Sequence, residues 1–198
     1  MKLVVASKNK GKIEEIRYVF RNIPYEIVSM EDIGITDDIE ESGTTFEENA
    51  LIKARYIMNA TGIATLADDS GLEVDFLDGA PGVYSSRYAG ENATDEEKIQ
   101  KILSILKGVP FKKRGARFVC VIAVVFSDGR EFLSTGTFDG VIAEQPVGEN
   151  GFGYDPILFV PEQSRTVAQM NEVEKNAVSH RGKALRAMQE QLSKAEIL

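Results

Sequence analysis

Two adjacent carboxylates, Asp68 and Asp69, are the side chains of this sequence best suited to catalytic chemistry. They closely follow the apolar run at 63–66 and precede Ser70 and Gly71. Carboxylates at the end of a buried strand offer the oxygen ligands that Mg²⁺ prefers, at the sheet edge where α/β enzymes also hold phosphates. The same residues favour a turn, because Asp and Ser bond to their own backbone and Gly accepts a positive φ. Both interpretations are open at this point.

The composition leaves carboxylates and lysines as the main groups available for catalysis. The sequence has one His, one Cys and no Trp, so a site built from clustered His or Cys has little to draw on. A single Cys also implies no disulfide framework. The net charge of −8, from 31 acidic and 23 basic residues, would repel a nucleic-acid backbone over a broad surface. We therefore expect no nucleic-acid partner, whereas an anionic small ligand is compatible with local clusters of lysine.

The length and apolar content fit a single soluble domain over 1–198. Hydrophobic residues make up 43% and charged residues 27% of the chain, which is ordinary for a globular protein. No apolar run approaches the ~18 residues of a membrane span. The apolar stretch near the N-terminus is too short for a signal peptide. We expect no membrane association and a cytoplasmic location.

A basic turn at 7–12 is the second stretch that could carry chemistry. A strand predicted at 2–6 precedes it, and a helix predicted at 11–21 follows it. Backbone amides at such a turn lie at a helix N-terminus, whose partial positive charge favours phosphate. The turn lacks the Walker A pattern. A solvated turn in which Asn9 caps the helix is the alternative. The six residues are Ser7, Lys8, Asn9, Lys10, Gly11 and Lys12.

Lys53 lies on a helix predicted from Thr44 or Thr45 to about Asn59, which begins with a capping box. A lysine on the face of such a helix normally extends into solvent. It would gain a catalytic role only if the helix packs beside Asp69.

A glycine-rich loop at 148–156 could hold a flat ligand. Its glycines allow close approach of the backbone while an aromatic ring stacks on the ligand, and Asp155 could bind an edge of it. The loop could equally be structural, with a rigid Asp-Pro exit.

The last helix is predicted to begin after Ser179, which places His180 and Arg181 in its first turn. Basic residues there oppose the helix dipole, which suggests contact with a ligand. A single turn of this kind is also tolerated at a cost of a few tenths of a kcal/mol.

The predicted helices and strands alternate, which is typical of an α/β fold. The segment at 127–130, Ser-Asp-Gly-Arg, predicts a hairpin between two strands. Because a hairpin is antiparallel and strand–helix–strand units are parallel, we expect a mixed sheet. A further strand predicted at 72–76 would leave 68–71 as a connection between two extended segments.

In this order and at these intervals, the segments from Ser7 to about Ala187 resemble the inosine/xanthosine triphosphate pyrophosphatase family. This family is also described as Ham1-like, or non-standard purine NTP pyrophosphatases. The resemblance implies that Asp69 binds metal and acts as the general base, and that Asp68 is a supporting or second metal contact. It also identifies Glu40, in the acidic loop at 31–43, with a metal-binding glutamate.

The resemblance implies where the substrate binds. The N-terminal turn is similar to the family pattern Ser/Thr-x-Asn-x-x-Lys, which would hold the triphosphate. Many members have Gly where this chain has Lys8, and a positive φ there would cost Lys about 1 kcal/mol. The residues implied to contact substrate are Ser7, Lys8, Asn9, Lys10, Gly11, Lys12, Lys53, Ser70, Phe152, Gly153, Tyr154, Asp155, Lys175, His180 and Arg181.

The implied reaction is hydrolysis of ITP, dITP or XTP to the monophosphate and pyrophosphate, with Mg²⁺ as cofactor. Donors from Lys175, Arg181 and the amides near Phe152 would bind a 6-oxo group and reject the 6-amino group of adenine. The implied fold is an elongated mixed sheet flanked by helices, with two lobes around a central cleft, in a homodimer. A non-catalytic nucleotide sensor and a pyrophosphatase for another modified triphosphate, such as a pyrimidine, are the alternatives.

Overall fold

The computed structural model describes residues 1–195 and 197. Its β-strands form one seven-stranded sheet in the order β2-β1-β3-β4-β5-β6-β7. The strands are β1 (Lys2–Val5), β2 (Glu26–Ser29), β3 (Thr65–Val74), β4 (Gly115–Val125), β5 (Glu131–Ile142), β6 (Leu158–Val160) and β7 (Arg165–Thr166). The α-helices are α1 (Lys10–Val19), α2 (Phe46–Thr61), α3 (Asp95–Ile105), α4 (Glu172–Val178) and α5 (His180–Lys194).

The sheet is mixed, as the sequence predicts. Strand β1 pairs in parallel with both β2 and β3, and the intervening helices α1 and α2 make the crossovers that parallel pairing needs. Strand β6 pairs antiparallel with both β5 and β7. The predicted hairpin at 127–130 connects β4 to its neighbour β5. The expected α/β class is therefore confirmed.

Strand β3 runs without interruption through the two adjacent acids, so the predicted turn at 68–71 is wrong. Asp, Ser and Gly have low strand propensity, but such propensities give way to tertiary context. In this strand Asp68 and Asp69 are buried and form ion pairs with basic side chains. These pairs offset the cost of burying charge in the middle of a strand.

The starts of α1 and α2 follow the local sequence signals. The Asn9 side chain accepts from the Lys12 backbone N–H at 3.0 Å and caps α1. Thr45 and Glu48 form a reciprocal capping box at the start of α2. These caps satisfy backbone donors that a helix start leaves open. They fix where each helix presents its lysine, Lys12 on α1 and Lys53 on α2.

The chain folds into two compact units, each assembled from separated segments. The first comprises Met1–Asp69, Cys120–Gly136 and His180–Leu198, and the second comprises Ser70–Val119 and Thr137–Ser179. Each unit has its own apolar core. The core of the first unit includes Leu3, Ile16, Phe20, Leu66, Ile122, Val124, Leu185 and Met188. The core of the second includes Leu72, Ile102, Leu106, Phe118, Ile142, Ile157 and Leu158.

None of the helices within 1–195 has the length and apolar character required to cross a membrane.

Candidate active site

Asp68 and Asp69, on strand β3, contact two different groups of side chains in the first unit. Both acids are buried, with 1% and 5% of their surface exposed. Successive side chains of a strand point to opposite faces of the sheet. Asp68 accordingly meets residues of α1 and α5, whereas Asp69 meets a lysine of α2. The two acids therefore have different environments despite their adjacency.

Asp68 is the centre of a buried ion network. Its Oδ1 pairs with Lys12 Nζ at 2.5 Å, and its Oδ2 accepts from Arg181 Nε at 2.6 Å and from the Cys120 thiol at 3.1 Å. Arg181 also pairs with Glu15 through Nη1 at 2.5 Å. Burial opposes ionisation of Asp68, but Arg181 and Lys12 outweigh it and hold its pKa well below the usual value. The charged form of Asp68 is thus favoured, and this carboxylate joins α1, α5 and β4.

Asp69 belongs to a second, smaller cluster with Lys53 and Glu41. Lys53 Nζ donates to Asp69 Oδ1 at 2.8 Å and to Glu41 Oε1 at 2.6 Å. Burial raises the pKa of Asp69 above its usual value, although Lys53 and Lys12 act in the opposite direction. The other oxygen, Oδ2, is buried and has no hydrogen-bond partner among the described residues. This oxygen is available to an incoming ligand or water.

Lys53 is buried, contrary to what is usual for a lysine on a helix face. Burial favours the neutral amine, but Asp69 and Glu41 more than compensate and raise the pKa of Lys53. The condition that the sequence sets for a catalytic Lys53, packing of its helix beside Asp69, is met.

The two clusters together hold three cations and four carboxylates. The cations are Lys12, Lys53 and Arg181, and the carboxylates are Glu15, Glu41, Asp68 and Asp69. With every group ionised, these seven side chains carry one net negative charge. Carboxylates in excess of cations among these side chains favour the binding of a cation.

These residues fit a divalent cation held partly by water and substrate. A hard cation takes oxygen ligands, and Asp69 Oδ2 and the Glu41 carboxylate are the candidates for this role. Within the described part of the chain, no three His, Cys, Asp or Glu side chains form a ready metal cage. Mg²⁺ needs none, because it commonly binds one or two carboxylates together with waters and phosphates. Both oxygens of Asp68 are already bound to cations, which makes that residue the weaker candidate.

The N-terminal turn is ordered by its own side chains. The Asn9 backbone N–H donates to Ser7 Oγ at 3.2 Å, while the Asn9 side chain caps α1. The capped turn is followed directly by Lys12, whose ammonium forms an ion pair with Asp68.

The other residues of the turn lie closer to solvent. Lys8 pairs with the exposed Asp38 at 2.5 Å, and its φ lies outside the left-handed region. Lys8 therefore does not carry the backbone strain that a positive φ would cause. Lys10 is exposed and Gly11 is half-buried.

The second unit contains another of the predicted groups, formed by Phe152, Asp155 and Lys175. Lys175 Nζ donates to Asp155 Oδ2 at 2.7 Å and lies 4.4 Å from the centre of the Phe152 ring. Asp155 Oδ2 also accepts from the Phe152 backbone N–H at 3.0 Å. A Cβ at Gly151 would lie 2.0 Å from Asp155 Oδ2, and Gly151 has a φ of +78°. Only glycine permits this arrangement.

The neighbouring residues of the glycine-rich loop are anchored to the same unit. The Gly153 backbone N–H donates to Asp95 Oδ2 at 2.7 Å, at the start of α3. Tyr154 is buried in the core, and its hydroxyl donates to the Ser85 carbonyl at 2.9 Å. These contacts give Tyr154 a packing role in addition to any contact with substrate. Ser70, on β3, is half-buried.

His180 and Arg181 occupy the first turn of α5, as the sequence predicts, and both are buried. Arg181 has 1% of its surface exposed and pairs with two acids of the first unit. The cost of a cation at a helix N-terminus is offset by these ion pairs. The contact of Arg181 with a nucleobase stays a prediction.

Sequence reasoning missed two carboxylates of the first unit. The acid that reaches Lys53 is Glu41, whereas Glu40, the predicted metal ligand, is exposed. The acidic loop has no periodicity that could have distinguished the two. Glu15 lies one turn after Lys12 on the apolar face of α1, between Ile13 and Ile16, and that placement was a usable signal.

Comparison with known proteins gives a consistent result. The model of the Ham1 family matches residues 3–191. The chain is 50% identical to the dITP/XTP pyrophosphatase of Geobacter sulfurreducens over 191 residues, 96% of each chain. It is 47% identical to the dITP/XTP pyrophosphatase of Shigella flexneri over 189 residues, 94% of this chain and 95% of the relative. A solved Ham1 protein from Coxiella burnetii matches with a TM-score of 0.89 and 45% identity, covering 98% of this chain and 99% of the other.

Proposed function

The chain belongs to the Ham1 family, and from this premise we propose that it hydrolyses dITP, ITP and XTP to the monophosphate and pyrophosphate. Relatives at 47–50% identity over nearly the whole chain are named dITP/XTP pyrophosphatases. Removal of such nucleotides would cleanse the nucleotide pool of non-standard purines.

The observation that carries the proposal is the pairing of Asp69 with Lys53. The Asp69 carboxylate is buried and lies 2.8 Å from the buried Lys53 ammonium, and one of its oxygens has no hydrogen-bond partner within the described part of the chain. The raised pKa of Asp69 moves it towards the working pH, where a general base is most effective. A buried carboxylate with a purely structural role is expected to accept hydrogen bonds at both of its oxygens.

In the proposed reaction Asp69 holds and deprotonates the water that attacks the α-phosphorus. Lys53 and Lys12 stabilise the negative charge that develops on the departing pyrophosphate. Both ammonium groups are bound to carboxylates in the structure, and so their positions are fixed before substrate arrives. Asp69 and Glu41 would hold Mg²⁺, which supplies charge neutralisation on the phosphates.

Base selection is proposed to depend on Phe152 and Lys175. Lys175 Nζ lies over one face of the Phe152 ring, 4.4 Å from its centre, and supplies a donor there, while the opposite face of the ring offers a stacking surface for a purine. A 6-oxo group accepts from such a donor. The 6-amino group of adenine is itself a donor and would face the Lys175 donor in a partly dry site, which would cost about 1–3 kcal/mol of binding free energy.

A panel of triphosphates tests the proposal. Pyrophosphate release is measured for ITP, dITP, XTP, ATP and GTP at mildly alkaline pH, with Mg²⁺ and with a chelator. We expect release from the first three in a Mg²⁺-dependent manner and little from ATP. Nucleotide binding without release would identify a sensor, and preference for another modified triphosphate would replace the substrate assignment.

We also propose that the protein acts as a cytoplasmic homodimer; the family resemblance supports the dimer, and the single Cys and the short apolar stretch at the N-terminus support the location. Light scattering coupled to size exclusion measures the oligomeric state directly. A monomer of 21.8 kDa at all concentrations would contradict the dimer.

A further inference from the structure

Asn49 is a buried polar residue of α2 to which the proposed reaction assigns no task. None of its surface is exposed. It lies one helical turn before Lys53, so the two side chains share a face of α2. The helix start is fixed independently by the capping box of Thr45 and Glu48, and Asn49 is not needed as a cap.

The amide of Asn49 holds the end of the acidic loop. Its Oδ1 accepts from the Gly43 backbone N–H at 2.8 Å, and Gly43 follows Glu41 by two residues. Because a backbone N–H can only donate, this contact also fixes which end of the amide is oxygen. A Cβ at Gly43 would lie 2.7 Å from Asn49 Oδ1 and 2.7 Å from the Glu48 Cβ. The loop therefore approaches α2 as closely as glycine allows.

The other end of the same amide has no partner among the residues that the structure describes. Asn49 Nδ2 is buried and makes no hydrogen bond to the described residues, and the same is true of Asp69 Oδ2. An unsatisfied buried polar atom costs about 1–3 kcal/mol, and native proteins usually satisfy such atoms with water or a ligand. A donor and an acceptor in this state, both on residues next to Lys53, indicate a polar guest.

We infer that Asn49 is a positioning residue for a hydrated divalent cation in this cluster. Its Oδ1 holds the loop at Gly43 so that the Glu41 carboxylate stays beside Lys53 and Asp69. Its Nδ2 donates to a water of the outer hydration shell, and that water accepts in turn from a water bound to the cation. The inference deepens the proposed function and rests on it, because it assigns to Asn49 the support of the cation that the reaction requires.

The test measures binding of Mn²⁺, a stand-in for Mg²⁺ with the same preference for oxygen ligands, by calorimetry without nucleotide. Asn49→Ala is compared with Asn59→Ala, the same change at an exposed position of the same helix. Loss of a group that orients metal ligands typically weakens binding about 10–100-fold. We expect a loss of at least about tenfold for Asn49→Ala and wild-type binding for Asn59→Ala.

Gly43→Ala is a second variant that disturbs the same contact from the other side. The Gly43 backbone is outside the left-handed region, so alanine can adopt it, and only the clash with Asn49 and Glu48 moves the loop. This variant leaves the buried face of α2 intact and guards against loss of folding in Asn49→Ala. It should weaken Mn²⁺ binding in the same way.

A kinetic split separates positioning from general damage. The KM for Mg²⁺ should rise about tenfold in Asn49→Ala and Gly43→Ala, while the KM for ITP at saturating Mg²⁺ stays at the wild-type value. Equal Mn²⁺ affinity in folded Asn49→Ala, Gly43→Ala and wild type would overturn the inference and leave the proposed function standing. Absence of both Mn²⁺ binding and turnover in the wild type would overturn the proposed function as well.

Discussion

Replacing Asp68 and Asp69 one at a time with Asn should separate stability from catalysis at neighbouring positions. Each change removes one negative charge and keeps the size of the side chain. Asp68 lies within hydrogen-bonding distance of Lys12, Arg181 and Cys120. An Asn there would turn an amide donor towards Lys12 or Arg181 and leave the half-buried Lys12 and the buried Arg181 without the carboxylate that they share.

The magnitude follows from the burial of these pairs. The Asp68 side chain has no exposed surface, and that of Arg181 has 2% exposed, so water cannot replace the lost partner. Breaking a buried ion pair by removing one member costs about 3–5 kcal/mol. For a chain of this length, each kcal/mol shifts the melting temperature by about 2–4 °C. Asp68→Asn should therefore melt about 6–20 °C below the wild type.

Asp69→Asn should change stability by no more than about 1 kcal/mol. Burial raises the pKa of Asp69, which means that the fold holds the charged form of this group less well than the unfolded chain does. Lys53 keeps Glu41 as its partner at 2.6 Å. Turnover, however, should fall by about 10²–10⁴-fold, the usual contribution of a general base.

Differential scanning calorimetry and pyrophosphate release, both on the same preparations, give the two readouts. At a temperature where both variants are folded, Asp68→Asn should lose less than about tenfold in kcat, equivalent to roughly 1.4 kcal/mol. A structural role for Asp68 and a catalytic role for Asp69 are refuted if Asp69→Asn is the less stable variant, or if folded Asp68→Asn is inactive while Asp69→Asn turns over normally.

Three further outcomes are expected. Gly151→Ala should abolish selective ITP turnover because its methyl group would displace Asp155. Gly153→Ala is also at a left-handed position, but its methyl group would meet no atom within 4 Å, and it should lose only about 1 kcal/mol of stability. Equal kinetics in the two variants would contradict this. The difference in unfolding free energy between wild type and Asp68→Asn, measured with urea, should be largest above the pKa of about 3.9 that Asp68 has in the unfolded chain. It should shrink as the pH falls through the lower pKa of Asp68 in the folded state. A difference that grows in acid would be inconsistent with this expectation. Because burial raises the pKa of the Cys120 thiol well above its usual value, native protein should resist a thiol reagent that labels it in denaturant; rapid labelling of the native state would show the assignment to be mistaken.

Much of the fold can be predicted from local signals in the sequence. The capping box of α2, the hairpin at 127–130 and the basic first turn of α5 all lie where the sequence predicts them. Each depends on residues within a few positions of one another, which is the range over which sequence patterns are informative. The mixed character of the sheet follows from these same signals.

The parts that could not be predicted depend on long-range partners. Strand β3 continues through Asp68 because Lys12 and Arg181, 56 and 113 residues away in sequence, neutralise it. Nothing local to the strand indicates this. The burial of Lys53 and its contact with Glu41 likewise depend on the packing of α2 against the acidic loop, whereas the role of Glu40 as a metal ligand stays a prediction. Tertiary contacts override local propensity most strongly where charges are buried.

The different roles of Asp68 and Asp69 have a consequence for which mutations the gene tolerates at these two positions. Two adjacent codons specify the same amino acid, yet the structure places the two side chains under unrelated selection. Variants at position 68 should disappear from any population sorted for the amount of folded protein, whatever the nucleotide supply. Variants at position 69 should persist in that sorting and disappear only when survival depends on turnover. Because a strand turns alternate side chains to opposite faces, two neighbouring residues can be selected for different properties, folding at position 68 and turnover at position 69.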